Sequence, residues 1–461
     1  MDPIYRLAEY AVDIRYEVLP REAIEATKKD ILDILGTIIA GSSAPGCKEL
    51  VRTLLETYTD PRASILIHGH KVPSPEAALA NATMGHALDL DDTHDGAFLH
   101  AGVSVIPASI ALAEQMGGVN GRDLITAVTL GIDWVCRMGL ATKVAPIASG
   151  WIYTAAYGFF GATAAAGKLL GLNVEQMVNA MGIAYAQAAG NTQCILDGAL
   201  TKRVQPGFAA RGGLLSAFLA KNAITGAKNV LEGEAGLYHV YLKDAYDPDR
   251  LVSELGKRFE GVNLSFKPYP SCRYTHTSID ATLRLVQDNQ IEPDEVEAIT
   301  VGINQQTYKN VCMPLEVRRN PRVVVDAQFS IPYCIATAAV KKEVFIDDFT
   351  EQGMRNPRVL QMAQKVTPII DEGIETKYPR QISPAVVTIR TKNGKTFSDG
   401  QICPLGSPEN PMSFDELILK FRKCATYGEK PLAHQRIDAV VDMVRNLESM
   451  GDVRDIVKML V

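Results

Sequence analysis

From Val144 to Gly167 the chain runs without a single charged side chain. A segment of that length has two homes: across a bilayer, or inside a protein that surrounds it on every face. Composition decides between them. Val144, Ile147 and Ile152 are its only branched aliphatic residues, and glycine, alanine, threonine and aromatic residues fill the rest. Small side chains gain little on transfer to lipid but let helices approach closely, so the run reads as a buried core helix and no membrane partner is expected. Gly158, Gly161, Ala162, Ala164, Ala165 and Ala166 carry its small-residue surface, and Ala180 to Ala189 forms a second such run. Two central helices require other helices wrapped around them.

The rest of the first ~260 residues supplies these by apolar spacing. Ile24, Ile31, Ile34, Leu35 and Ile38 fall at helical intervals before a stop at Gly41. Near Asn263 the texture changes. After Phe266-Lys-Pro-Tyr-Pro-Ser-Cys-Arg-Tyr-Thr-His276 comes a short helix from about Thr277 to Gln287, and Ile299, Val301 and Ile303 then alternate as in a half-buried strand. Val387 and Ile389 lead to Asn393-Gly394, a two-residue hairpin signal, with Thr396 on the return strand. From Ser413 the pattern is helical again, opened by a capping box with Glu416 and continued by Ile437, Val440, Val441 and Val444. A helical tail too short to fold alone must rejoin the first helices. The expected fold is mainly α with an inserted α+β unit: a large helical domain from residues 1–264 and 402–461, and a smaller α+β lid domain at 265–401.

Among 461 residues, 22% are charged and 47% hydrophobic, as in an ordinary globular protein. A net charge of −6 without a basic cluster argues against nucleic acid as a partner. The start, Met-Asp-Pro-Ile-Tyr-Arg, has an acid where a signal peptide needs cations. The eight cysteines are scattered without a CxxC pair, so a disulfide scaffold or structural zinc is not expected and the cytoplasm is the expected location.

The densest polar cluster is His86-Ala-Leu-Asp89-Leu-Asp91-Asp92-Thr93-His94-Asp95, with His100 just after it. Carboxylates and imidazoles crowded together push one another's pKa values apart, which creates acids and bases at neutral pH. The plainer alternative is an N-cap cluster for the next helix. Asp91 to Asp95 also spells DDxxD, the magnesium-diphosphate motif of helical isoprenoid synthases. That rival needs cations soon afterwards, yet Leu99 to Ile106 has no Lys or Arg, and the other acidic candidate, Asp347-Asp348-Phe-Thr-Glu351, falls in the inserted unit. Thr201-Lys202-Arg203 and Lys267-Pro-Tyr-Pro-Ser-Cys-Arg273 each set cations beside a helix start, a natural carboxylate site, although surface solvation is the usual fate of such residues. Gly161 to Leu169 departs from a phosphate-binding loop in spacing and in its last residue, and no GxGxxG after a strand, HExxH or GxSxG is present. A site without metal or cofactor is the simplest expectation.

Together, His86-Ala-Leu-Asp-Leu-Asp-Asp-Thr-His94 with Leu99-His100, Thr201-Lys-Arg203, Lys267-Pro-Tyr-Pro, Thr275-His276 and Gln328-Phe-Ser-Ile-Pro-Tyr333 resemble the MmgE/PrpD family, in the family's order and along nearly the whole chain. That family includes 2-methylcitrate dehydratase, cis-aconitate decarboxylase and iminodisuccinate epimerase. The resemblance implies a helical domain with an inserted α+β lid, a homodimer, and a metal-free site between the domains at Asp89, Thr93, His100, Lys202 and Lys267. Three departures stand out. Gly150-Trp151-Ile152 replaces a frequent Gly-aromatic-His segment, Gln205 replaces a histidine, and Cys272 stands where decarboxylases of the family tend to carry histidine.

The resemblance therefore implies a lyase that moves a proton next to a carboxylate of a small di- or tricarboxylate. A 2-methylcitrate-type dehydratase, a hydro-lyase, comes first, then an iminodisuccinate-type epimerase (an isomerase) and a cis-aconitate-type decarboxylase; a non-catalytic carboxylate-binding protein is the alternative outside enzymes. His100 is expected to exchange the proton, since an imidazole titrates near neutral pH. Asp89 would tune it and Thr93 would bond a substrate oxygen. The complementary acid would be Tyr153, or His276 or Cys272 from the lid. Lys202 and Lys267, helped by Arg203 and Arg273, would hold carboxylates.

Overall fold

The computed structural model describes residues 1–379 and 381–461. The chain divides into two compact units, one of Met1–Ser265 with Ser413–Val461 and one of Phe266–Met412. In chain order the helices that build their cores are α1 (Arg21–Gly41), α2 (Ser74–His86), α3 (Gly102–Gln115), α4 (Gly121–Ala141), α5 (Tyr153–Leu169), α6 (Val174–Tyr185), α7 (Thr201–Lys221), α8 (His276–Asp288), α9 (Ile331–Lys341), α10 (Phe414–Ala425) and α11 (His434–Arg445). Strands are β1 (Ala63–Ile65), β2 (His70–Val72), β3 (Val296–Ile303), β4 (Val366–Ile370), β5 (Ala385–Thr391) and β6 (Thr396–Gln401). The fold is mainly α with a small α+β unit.

In the first unit α5 is central, buried from Tyr153 to Gly167. It crosses α4 so closely that a Cβ on Gly131 would lie 2.7 Å from the Gly161 carbonyl oxygen. Alanine at either glycine would push the helices apart. The charge-free run is not one helix, however. Pro146–Ser149 makes a single turn, Gly150 takes a left-handed φ of 77°, and α5 begins only at Tyr153. The second small-residue run is likewise cut, because α6 ends at Tyr185 and its last turn is half exposed. Its expected place in the centre is taken by α2 and α3, which are buried nearly throughout. Gly41 also has a different reason from the one expected. It is the last residue of α1, and Ser42 continues in right-handed geometry; a Cβ at Gly41 would fall 1.9 Å from the Met84 carbonyl oxygen, so it lets α1 and α2 touch.

Among the described residues one helix, α4, is long and apolar enough to cross a membrane. It is a core helix here, with a buried Asp133–Arg137 pair at 2.7 Å. The C-terminal helices pack on the first ones. Lys420 of α10 reaches Asp33 of α1 at 2.6 Å and the Leu90 carbonyl at 2.8 Å, and Gly121 at the start of α4 donates its N–H to the Met450 carbonyl.

The second unit is built on a four-stranded sheet in the order β4-β3-β5-β6. β3 pairs in parallel with β4 and antiparallel with β5, and β5 turns through Asn393-Gly394 into β6. Ile299, Val301, Ile303, Val387 and Ile389 form a core with Ile279 and Val286 of α8 and Ile335 and Ala339 of α9. β4 carries Pro368, which an edge strand tolerates because it removes only one ladder donor. Residues 402–412 belong to this unit and not to the helical return. Phe266 donates to Gly406 O, Leu405 donates to the Asp280 carboxylate, and Arg273 donates to Leu405 O.

Candidate active site

The loop between α2 and α3 gathers the polar cluster. His86 closes α2, and Asp89 turns the chain in left-handed geometry at φ 56°. Asp91 is wholly buried and its Oδ2 faces two imidazoles: His86 Nδ1 at 2.8 Å and His100 Nδ1 at 3.2 Å. Burial alone would raise the Asp91 pKa, but His100 and His86 outweigh it and hold the carboxyl well below the usual range. Asp91 is therefore an anion shared between two histidines.

This fixes the tautomers. His100 Nδ1 also lies 2.5 Å from the Asp92 carbonyl oxygen, which can only accept, so the proton sits on Nδ1 and the neutral ring carries its lone pair on Nε2. The backbone N–H of His100 donates to Thr154 Oγ1 at 3.0 Å, which sets the ring's origin. The His100 side chain keeps 16% of its exposure. His86 likewise donates from Nδ1 to Asp91, and Lys202 donates to its Nε2 at 3.4 Å. Burial, helped by the Lys202 charge, pushes the His86 pKa down to about 4, so this ring stays neutral. The His86 and His100 rings meet edge to face at 4.8 Å.

Lys202, at the start of α7, gives Asp89 a 2.9 Å ion pair. His86, Asp89 and His100 offer ligand atoms within 4.8 Å of one another, a set that suits a divalent cation by type. The Lys202 ammonium lies against two of the three, so the chain supplies the cluster's positive charge itself.

The arrangement redistributes the expected roles. Asp91 and the Asp92 carbonyl orient His100, while Asp89 pairs with Lys202. Thr93 is in the same loop, but its hydroxyl donates to Leu99 O at 3.3 Å and its backbone pairs with Ser265. Tyr153 is not aimed at His100. It is buried, stacks on Tyr157 and donates its hydroxyl to Val144 O at 2.7 Å; Thr154, one residue on, faces the site instead. Arg203, the next residue along α7, instead donates to Pro45 O at 2.6 Å, which makes it an anchor for that loop. Gln205 uses its whole amide within the fold: Oε1 accepts from Asn191 N, and Nε2 donates to Asn191 O and to Cys194 Sγ.

The remaining candidates belong to the second unit. Lys267 and Arg273 are buried, and Cys272 is half-buried. His276 is fully buried, accepts from Arg273 Nη1 at Nδ1 and donates from Nε2 to Ser271 O at 3.2 Å. With both ring nitrogens bonded inside the unit, His276 orders the Arg273 side chain and is a poor candidate for proton exchange.

Taken together, these features put a positioned imidazole, a shared buried carboxylate and a built-in ammonium side by side in the mainly helical first unit. The chain belongs to the MmgE/PrpD family: residues 5–248 match the MmgE/PrpD N-terminal domain and 269–448 the MmgE/PrpD C-terminal domain. It is 27% identical to a cis-aconitate decarboxylase of Aspergillus terreus over 98% of this chain and 95% of the relative. A cis-aconitate decarboxylase-like protein, oryM, of Aspergillus oryzae is 26% identical over 98% of this chain and 96% of the relative. The cis-aconitate decarboxylase of Homo sapiens is 26% identical over 94% of this chain and 89% of its own length.

Proposed function

We propose that the protein is a lyase that acts on a small di- or tricarboxylate, with His100 as the group that takes a proton from carbon next to a carboxylate. One observation carries this reading. Nδ1–H of His100 is held by Asp92 O and Asp91, which leaves Nε2 as the free lone pair. Asp91 then stabilises the imidazolium that forms, the task of the orienting carboxylate in other imidazole bases. Lys202, an ammonium in the same cluster, is suited to bind the carboxylate whose α-carbon is deprotonated and to offset the charge that develops there.

A dehydratase of the 2-methylcitrate type is the finer reading. The proton passes from carbon to His100 Nε2 and then to the departing hydroxyl, which leaves as water as the double bond forms. A single imidazole can serve both steps, in keeping with Tyr153 and His276 being engaged elsewhere. A second reading, a tricarboxylate decarboxylase, is favoured by the relatives' names; Cys272 weighs against it, since decarboxylases of the family tend to carry histidine there.

Incubation with 2-methylcitrate, citrate, cis-aconitate and a racemic iminodicarboxylate in deuterated water, followed by NMR, tests the proposal. Water loss or addition supports the dehydratase and carbon dioxide loss the decarboxylase. Deuterium exchange without net product points to an epimerase. Tight binding with no exchange at any carbon would sink the lyase reading in favour of a binding protein.

A further inference from the structure

Four aspartates lie buried behind the His100 loop: Asp30 and Asp33 on α1, and Asp91 and Asp92 on the loop. Their charges cannot all be borne in one low-dielectric pocket. Two have a cation or imidazole N–H groups beside them. Asp33 pairs with Lys420, and Asp91 with two imidazoles. Asp92 has two donors on one oxygen only: Oδ2 takes the backbone N–H groups of Ala101 and Gly102, at 2.8 and 3.1 Å, where α3 begins. Among the described residues, no donor faces Asp92 Oδ1 or either oxygen of Asp30.

Asp30 and Asp92 meet at one residue. A Cβ built on Gly102 would lie 2.3 Å from Asp30 Oδ2, so the Asp30 carboxyl packs flat on the glycine whose N–H Asp92 holds. We propose that Asp30 is a neutral carboxylic acid that donates its proton to Asp92 Oδ1, and that the pair acts as a positioning element for His100. That one hydrogen bond pairs two of the three oxygens, an Asp30 oxygen and Asp92 Oδ1, and it removes one negative charge from the pocket. The consequence reaches the site through Asp92, whose side chain caps α3 while its carbonyl accepts the Nδ1 proton of His100. This rests on the reading of His100 as the base, but the protonation itself does not.

The groups facing the pair are Asp33 and Asp91, His100, Lys420 from α10 and Cys136 from α4. Burial raises both carboxyls, Asp30 well above the ordinary value and Asp92 to about 7, and the charge of Asp92 is the strongest of those acting on Asp30. Above the pH at which the shared proton leaves, two anions are pressed together and the loop loses its geometry.

Infrared difference spectroscopy between wild type and Asp30→Asn tests the protonation without any substrate. A protonated-carboxyl C=O band at pH 6 that is present in wild type and absent in Asp30→Asn is expected; no such difference would overturn the proposal. The asparagine NH₂ replaces the donated proton, so Asp30→Asn should retain kcat within about threefold and lose the alkaline fall in rate. Asp30→Leu, which leaves Asp92 Oδ1 with no donor, should lower kcat with KM little changed. Equal damage by Asn and Leu would show that Asp30 is needed as an anion and refute the positioning role. If no substrate is turned over at all, the function reading fails while the infrared result still decides the shared proton.

Discussion

Lys420→Met isolates the ion pair that ties the C-terminal return to the rest of the first unit. Lys420 and Asp33 are 5% and 0% exposed at the side chain and 2.6 Å apart. Removing one member of such a pair strands a buried charge and costs about 3–5 kcal/mol. The first unit has roughly 310 residues, and at about 2.1 cal/mol/K per residue its unfolding entropy is on the order of 0.65 kcal/mol/K. The expected fall in Tm is therefore about 5–8 °C, read by calorimetry or near-UV circular dichroism at pH 7. Replacing both partners, as Lys420→Met with Asp33→Leu, should recover most of the loss, because an apolar pair of similar volume is neutral or stabilising against a buried ion pair. Lys420 also donates to Leu90 O, so the double variant should keep a weakened site even where its Tm returns. A single variant within 1 °C of wild type would refute the argument that this charge is needed, and a double variant less stable than the single would refute the desolvation reasoning.

Three further outcomes follow from the site. His100→Gln should lose about 10²–10⁴-fold in kcat with Tm nearly unchanged, measured on whichever carboxylate the wild type consumes; near-normal turnover removes His100 from the chemistry. His86 is held neutral in the fold, with its pKa depressed from 6.5 to about 4, so the unfolded chain binds the proton first as pH falls. The stability of wild type relative to His86→Gln should thus rise between about pH 4 and 6.5, by about 3 kcal/mol in all, in urea titrations; a flat difference would mean the ring is already protonated or exposed. Tyr153→Phe should cost about 1 kcal/mol of stability for the lost bond to Val144 O and leave kcat within a few-fold, whereas a large loss of kcat would return the phenol to the mechanism.

The histidine–aspartate cluster could be read in the sequence because such polar density is conspicuous against apolar helices. Its pairing could not. Which carboxylate meets which imidazole depends on the left-handed turn at Asp89, and Lys202 arrives from 113 residues away. Tyr153 was the expected neighbour of His100 by proximity in sequence, yet one residue turns a helix by about 100°, and that rotation puts Thr154 at the site and Tyr153 under Val144. The hairpin at Asn393-Gly394 and the capping box at Ser413 carry local signals and fall where expected. β4 carries none, since a short edge strand with a proline lacks alternation until β3 is placed beside it. The end of the inserted unit was missed for a related reason: residues 402–412 have no regular pattern and are held by single hydrogen bonds to Phe266, Arg273 and Asp280.

The bond from Lys420 to Leu90 O has a meaning in time as well as in energy. It spans 330 residues, and everything between has to be synthesised before the loop that carries Asp91 and Asp92 can be tied down. During synthesis the second unit, Phe266–Met412, can close as soon as it emerges, since its segment is continuous, whereas the first unit waits for its last helices. The half-made chain thus holds four buried-to-be aspartates without their lysine, a state that favours an open, hydrated loop. A ribosome that stops short of α10 therefore releases a polypeptide in which the Asp91–Asp92 loop lacks its Lys420 tie.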